Sequence, residues 1–370
     1  MSSASSDETG STDAALTWPD LIADLLAGRD LPLEHARWAM NEVMSGTASP
    51  VALAGFLVAL AGKGETVAEL RGLADAMVAH ARQVPIPPGP SGEPLETVDV
   101  VGTGGDRHHT VNISTMAALV VAGTGLPVAK HGNRAASSAS GSADVLEALG
   151  VKLDLDPARA GELVRDVGIT FLFAQQFHPA FRHAAAARVG LGIPTAFNVL
   201  GPITNPARPR AGAIGVGNLA MAPLIAGVFA DRGNHTLVFR SEDGLDELAT
   251  TAPARIWEVT NASGGTVVEH RVDFAAELGM RRASISDLRG GSPADNARVA
   301  TDLLHGKTGA IRDAVVLNAA AALVADARHP ELAQGTLLDR FAAATAIAEG
   351  AIDEGRAAAV LQRWAEESQR

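Results

Sequence analysis

Cysteine is absent from the 370 residues, which excludes a disulfide framework, a thiolate nucleophile and any cysteine-held metal. Positive charge is scarce as well: 30 Lys and Arg stand against 42 Asp and Glu, a net charge of −12. A general nucleic-acid binder leaves a basic footprint, so this balance argues against that class. No apolar run reaches membrane-spanning length before Gly, Pro or a charge interrupts it. No basic segment followed by an apolar one opens the chain, so no secretory signal is expected and a cytoplasmic location is. What is present is a 47% hydrophobic composition, enough for a sizeable core, and a length that corresponds to about two domains.

Residues 1–15 lack periodicity and are expected to form a disordered tail. Thr17, Pro19 and Asp20 resemble an N-cap and first turn, and Trp18, Leu21, Ile22, Leu25 and Leu26 then recur at helical spacing. A second helix is expected from Pro32 to Gly46, then Val51 to Leu60 and Val67 to Val78, joined by short loops into an antiparallel helical unit. Pro85 to Pro94 reads as a linker. From Val98 the pattern alternates. Strands are expected at Val98–Val101, Pro127–Ala129, Thr170–Phe173, Gly212–Val216, Thr236–Phe239 and Ile256–Val259. Helices are expected at Ser114–Ala122, Ser142–Leu149, Ala158–Val167 and Ala220–Ala230. This predicts a mainly parallel sheet covered by helices, with ligands at the C-terminal ends of the strands.

The first of these strands ends in Gly102-Thr103-Gly104-Gly105-Asp106. Without Cβ atoms, these glycines let backbone N–H groups turn inward onto a phosphate oxygen. The following helix start adds unpaired N–H groups, with Thr110, Asn112, Ser114 and Thr115 as short polar neighbours. Asp106 suits loop ordering, a sugar hydroxyl or metal-bound water better than bare phosphate. In isolation such a loop reads equally well as a surface β-turn. Lys130-His131-Gly132-Asn133-Arg134-Ala135-Ala136-Ser137-Ser138 shifts the balance, because such a polar run between apolar segments needs polar partners. Lys130 is expected at the end of its strand. The loop is neither a Walker sequence nor a dinucleotide fingerprint, since Arg107 stands where the third glycine would be.

Three further stretches bear on chemistry. Asp246 and Glu247, in Asp243-Gly244-Leu245-Asp246-Glu247-Leu248, suit oxygen-preferring Mg2+ completed by substrate phosphate and water; alone they would be an acidic surface turn. The alanine-rich run from His178 to Arg188 is expected to be helical, with Arg182 a solvated cation. His108, His109, His178 and His183 receive no acid or base role, and Asn112 and Asn198 read equally well as amides that brace loops.

The segments Gly102–Asp106, Asn112–Thr115, Lys130–Arg134, Asn198–Pro206 and Asp243–Leu248 resemble, in order, those of the anthranilate phosphoribosyltransferases. The resemblance implies a small, mainly N-terminal helical domain over residues 16–86 with a returning segment near 174–190, a hinge at 87–97, and a large α/β domain over 98–370. It implies that 5-phosphoribosyl 1-pyrophosphate binds through Gly102, Gly105, Asp106, Thr110, Asn112, Ile113, Ser114, Thr115, the run Lys130 to Ser138, and Ser142. Anthranilate would meet Gly102, Asn133 and Arg188. Two Mg2+ ions per monomer would be held, one by Ser114 and Glu247 and the other by Asp246 and Glu247. A homodimer through the N-terminal helices is also implied. The family usually has a second basic residue next to this arginine, where Val189 and Gly190 follow here, and many relatives carry His-Gly at Arg240-Ser241. The alternatives are a pyrimidine nucleoside phosphorylase-like enzyme, which would need neither Arg188 nor the acidic pair, and a nucleic-acid-binding relative, which should be basic.

Overall fold

The computed structural model describes residues 15–134, 140–260 and 265–370. The expected tail, apart from Ala15, lies outside the described residues, as do Ala135, Ala136, Ser137 and Ser138. Four helices come first: α1 (Trp18–Leu26), α2 (Leu33–Ser45), α3 (Pro50–Lys63) and α4 (Val67–Ala79). Their ends follow from local chemistry. Thr17 and Ser49 accept the amides of Asp20 and Ala52, each with Pro in the first turn. Thr66 and Glu69 form a reciprocal capping box at α4. Gly46 ends α2 at φ 76°, a conformation that costs a residue with a Cβ about 1–2 kcal/mol. Glu69 is fully buried, yet it has partners: it accepts the Leu31 amide at 2.9 Å and the Lys63 ammonium at 3.0 Å.

The remainder is one seven-stranded sheet with helical cover. In chain order it runs β1 (Val98–Gly102), α5 (Ile113–Gly123), β2 (Val128–Gly132), α6 (Ser142–Ala148), α7 (Pro157–Asp166), β3 (Ile169–Phe173), α8 (Ala174–Phe177), α9 (Ala185–Leu191), β4 (Ala211–Gly215), α10 (Ala222–Arg232) and β5 (His235–Ser241). Then come β6 (Ala254–Thr260), β7 (Thr266–Val272), α11 (Phe274–Glu277), α12 (Pro293–Leu304), α13 (Ala310–Asp326), α14 (Leu337–Asp353) and α15 (Arg356–Glu367). The strand order is β3-β2-β1-β4-β5-β6-β7, parallel from β3 through β5 and antiparallel at β6 and β7.

Alternation along each strand divides the apolar side chains between two cores. Val98, Val100, Ala213, Leu237, Phe239 and Ile256 face a core shared with α5 and the C-terminal helices. Val101, Ile214, Val216, Val238, Trp257 and Val259 face a second core shared with α10, the four N-terminal helices, and Ala184, Ala187, Phe197, Leu200 and Ile203. The segment around 184–203 therefore packs with the helical bundle, although it follows β3 in the chain. Among the described residues, no helix is long and apolar enough to cross a membrane.

The structure departs from three expectations. β2 continues to Gly132, so Lys130 lies inside the strand rather than at its end. The stretch after His178 is not one helix: Pro179–Ala184 is 3-10 and only Ala185–Leu191 is α-helical, because Pro179 has no N–H to continue an α-turn. Strand β7 lies outside the expected set. It is an edge strand whose Val267 and Val268 are both partly exposed, so it carries no alternating signal.

Candidate active site

The site lies at the C-terminal ends of β1, β2 and β5. Gly104 and Gly105 have φ of 68° and 83°, the conformation that the loop after β1 requires. Thr103 anchors this loop to β4: its amide donates to Gly215 O at 2.9 Å, and its hydroxyl accepts the Gly217 amide at 3.0 Å. The Gly104 amide donates to Asp246 Oδ2 at 2.7 Å. Gly102 and Gly215 make room for the same acidic turn. A Cβ on Gly102 would lie 2.5 Å from Asp246 Oδ2, and one on Gly215 would overlap the Asp246 carbonyl. Gly102 thus has a packing role against the carboxylate beside any role toward a ligand. Arg107 and His109 also have positive φ in this loop, 63° and 54°, the kind of strained backbone that concentrates at ligand-binding segments.

Asp246 and Glu247 are buried, at 7% and 8% exposure. Burial, and then the neighbouring Asp106, pushes the Asp246 carboxyl up to about 7. Burial and then Asp246 hold Glu247 well above the usual carboxylate range, although the Ser114 amide at the start of α5 bonds to it. Lys130 is 1% exposed, and its ammonium donates to Val100 O and, at 3.3 Å, to Ser114 Oγ. Burial pushes its pKa down, while Asp99 and Glu247 favour the charged form. The anion loop, the helix start and the acidic pair are therefore one cluster. Thr115 Oγ1 is buried at the same helix start with no partner among the described residues.

This donor set suits a hard dication. A bound dication would favour the carboxylate forms of Asp246 and Glu247, which burial disfavours. Among the described residues, no three His, Asp or Glu side chains are grouped to hold a metal alone, so substrate oxygens or water would complete the shell.

Other sequence-predicted residues fall differently. The Asn112 amide is occupied: Nδ2 donates to Ser140 O at 3.0 Å and Oδ1 accepts from Asn296 Nδ2 at 2.8 Å. It braces the loop, as does Asn198, whose Oδ1 accepts the Thr195 amide. Asp106 Oδ1 accepts the His108 amide, so this residue orders the loop. Thr110 bridges to Arg289. Arg134 is not a free cation: Asp144 and Glu147 hold its guanidinium, which also lies 5.4 Å from the Phe173 ring centre. Asn133 Oδ1 accepts the Arg134 amide. Gly132 lets β2 end against Phe171 and Ser142, where a Cβ would meet the Phe171 ring at 2.7 Å. Arg188 is the opposite of Arg134. Its guanidinium sits 5.1 Å from the Phe181 ring centre, without an ion pair among the described residues, and burial lowers its pKa.

His131 and His178 are buried ring against ring at 5.2 Å and donate to the carbonyls of Gly201 and Thr204. Burial brings their pKa values down to about 3 and about 4. Both are neutral at pH 7 and serve as structural donors. As pH falls below 6.5 the unfolded chain protonates His178 first, so the stability tied to its neutral form drains by about 1.4 kcal/mol per pH unit down to about pH 4. The advantage of wild type over His178→Gln, read by thermal unfolding, is therefore expected to shrink between pH 7 and 5. A constant gap would mean that the imidazole accepts the proton freely.

Residues without an assigned role in the sequence reading also support the site. Asn296 holds both Asn112 and the Gly291 amide. Arg240 holds Gly217 O at 3.1 Å behind the glycine loop. Asn205 binds Asp99 beneath β2. Of these three, only Asn205 lies in a motif that the sequence singles out.

A helical bundle joined to an α/β sheet with an anion loop facing buried carboxylates defines a class. The chain matches the glycosyl transferase family, helical bundle domain, over residues 19–81, and the glycosyl transferase family, a/b domain, over residues 95–358. It is 58% identical over 351 residues to the anthranilate phosphoribosyltransferase of Arthrobacter sp. (strain FB24), covering 95% of this chain and 96% of that one. It is 54% identical over 352 residues to that of Salinispora arenicola (strain CNS-205), with the same coverage. Among solved structures, the anthranilate phosphoribosyltransferase of Thermus thermophilus superposes with a TM-score of 0.83 at 39% identity, over 95% of this chain and all of that one. The Saccharomyces cerevisiae enzyme in complex with PRPP and Mg superposes at 0.82 with 26% identity, over 95% and 98%. The chain belongs to the anthranilate phosphoribosyltransferase family.

Proposed function

We propose that the chain transfers the phosphoribosyl group of 5-phosphoribosyl 1-pyrophosphate to the amine of anthranilate, releasing pyrophosphate, the second step of tryptophan synthesis from chorismate. The observation that carries this reading is the meeting of the glycine loop, the start of α5 and the buried Asp246–Glu247 pair at the strand ends. The donor's phosphates face the amides after Gly102, the first turn of α5 with Ser114 and Thr115, and the segment from Lys130 onward. Mg2+ at Ser114, Asp246 and Glu247, two ions per monomer, would neutralise charge that develops on the departing diphosphate.

The protein's own groups supply position and field. As the C1–O bond to pyrophosphate breaks, loop amides and the Lys130 ammonium stabilise the leaving oxygens. Arg188 and Asn133 hold the anthranilate carboxylate, a planar match for a guanidinium. The amine forms the C1–N bond from the opposite face and then loses its proton to solvent. An arylamine is neutral at pH 7, so no general base is required, and none is assigned. Orientation accounts for most of the acceleration. Arg188, half-buried beside an aromatic ring and without an ion pair among the described residues, favours this reading over a nucleoside phosphorylase, and the charge of −12 favours it over a nucleic-acid binder.

The helical domain spans residues 16–86 with the return near 174–190, the hinge 87–97 and the α/β domain 98–370, in a cytoplasmic homodimer. Exposed Leu26 (75%), Val51 (83%) and Val189 (83%) on the neighbouring helices α1, α3 and α9 support that dimer. Anthranilate fluorescence, followed in time, tests the activity: loss of signal only with both donor and Mg2+ is expected, and no loss would overturn it.

A further inference from the structure

The Asn198–Pro206 motif carries none of the donor or acceptor residues assigned above, yet separate parts of the molecule converge on its Gly201–Asn205 turn. His131 of β2 donates Nδ1 to Gly201 O at 2.9 Å, and His178 donates Nε2 to Thr204 O at 2.9 Å. Arg232 of α10 donates to Ile203 O at 2.7 Å while its Nη2 donates to Asp75 of α4 at 2.6 Å. Asn205 is 5% exposed, and both polar atoms of its amide are bonded. Nδ2 donates to Asp99 Oδ2 at 2.8 Å and to Ala129 O at 2.7 Å, and Oδ1 accepts the Ala207 amide at 2.9 Å. Asp99 of β1, 1% exposed, accepts the His131 amide at 3.2 Å on its other oxygen.

These bonds close a ring from Asn205 through Asp99 and His131 to Gly201 and back along the turn. One side of the ring is the donor half, the ends of β1 and β2 with the glycine loop and Lys130. The other is the segment that leaves β3 with His178, carries Arg188 on α9 and returns to the sheet through this turn. A buried amide whose two N–H groups and oxygen are all bonded has one orientation, so the two halves meet in one register. A misplacement of about 1 Å between reacting groups costs about 10²-fold in rate.

Resting on the glycosyl-transfer reading above, we propose that Asn205, acting through Asp99, is a positioning residue that keeps the acceptor segment in register with the donor loop, so that the anthranilate amine rather than water reaches C1. When register is lost, the C1–O bond to pyrophosphate still breaks, but a water oxygen bonds to C1 and its proton passes to solvent, which yields ribose 5-phosphate without consuming anthranilate.

The test measures pyrophosphate release and anthranilate fluorescence loss in one reaction. Wild type is expected to release one pyrophosphate per anthranilate. Asn205→Ala is expected to lose roughly tenfold or more in transfer kcat, with more than two pyrophosphates released per anthranilate. Asp99→Asn keeps the shape of the ring, is expected to leak in the same direction, and carries the test should Asn205→Ala fail to fold. Thr204→Val removes the hydroxyl bonds to Leu200 O and Gly201 O inside the turn but leaves the Asn205–Asp99 and His131–Gly201 bonds, so it should lower stability and remain coupled one to one. Tight coupling with wild-type kcat in the Asn205 and Asp99 variants would overturn the positioning role, as would an equal leak in Thr204→Val. A wild type that consumes no anthranilate would overturn the transfer reading itself, and with it this role.

Discussion

Asp246→Asn combined with Glu247→Gln is expected to lower Mg2+-dependent turnover by roughly 10²–10³-fold, the scale for removal of an electrostatic stabiliser of a charged transition state. The amides keep the volumes of the carboxyls and remove the charges that the dication would meet. The same variant is expected to gain stability without metal. Asp246 has a pKa of about 7 against an ordinary 3.8, so the folded protein holds its proton more tightly than the unfolded chain. Ionisation therefore costs stability progressively as pH rises from 3.8 through 7. The amide has no such cost, and the variant's melting temperature should exceed that of wild type at pH 8, with the gap closing toward pH 4. Lower activity with higher stability marks residues kept for function. A double variant with wild-type Mg2+ dependence would remove this pair from the metal site.

Arg188→Ala is expected to raise KM for anthranilate by about 10–150-fold, from the 1.5–3 kcal/mol of a hydrogen bond to a charged group, with little change in KM for the donor. The guanidinium has no carboxylate partner to release among the described residues and rests half-buried on Phe181. Its removal therefore leaves no orphaned charge, and the loss belongs to ligand binding. Arg188→Lys should recover only part of it, because an ammonium cannot form two parallel bonds to a carboxylate. The next residue, Val189, is apolar and 83% exposed, so it gives Arg188 no second cation. Unchanged steady-state constants would exclude Arg188 from the acceptor site.

The cations show how far local sequence reaches. Lys130, Arg134 and Arg188 read alike in the chain as positive charges among small residues. In the structure Lys130 is buried, donates to Val100 O and Ser114 Oγ and feels the charges of Asp99 and Glu247, Arg134 is held by Asp144 and Glu147, and Arg188 has no ion pair among the described residues. Which carboxylate reaches which cation depends on α6 and on the turn after β5, and no spacing rule connects those. Asn112 is a similar case, because Asn296, its partner, lies on α12.

The elements whose signals are local were legible in the chain itself. Thr17 with Pro19, and Gly46, mark helix ends through bonds made within a few residues. Continuous β-branched runs mark strands buried on both faces, and glycines before a helix mark an anion loop. Tertiary structure alone decided the rest. It fixed which residues of the returning segment, those around 184–203, pack on the helical bundle, set Asp246 against Gly104 across 142 positions of chain, and turned Asn205 onto Asp99. Such contacts form because burial of apolar area on the two faces of the sheet outweighs the loop entropy of distant partners. That balance is a property of the whole packed chain, and no single stretch of sequence records it.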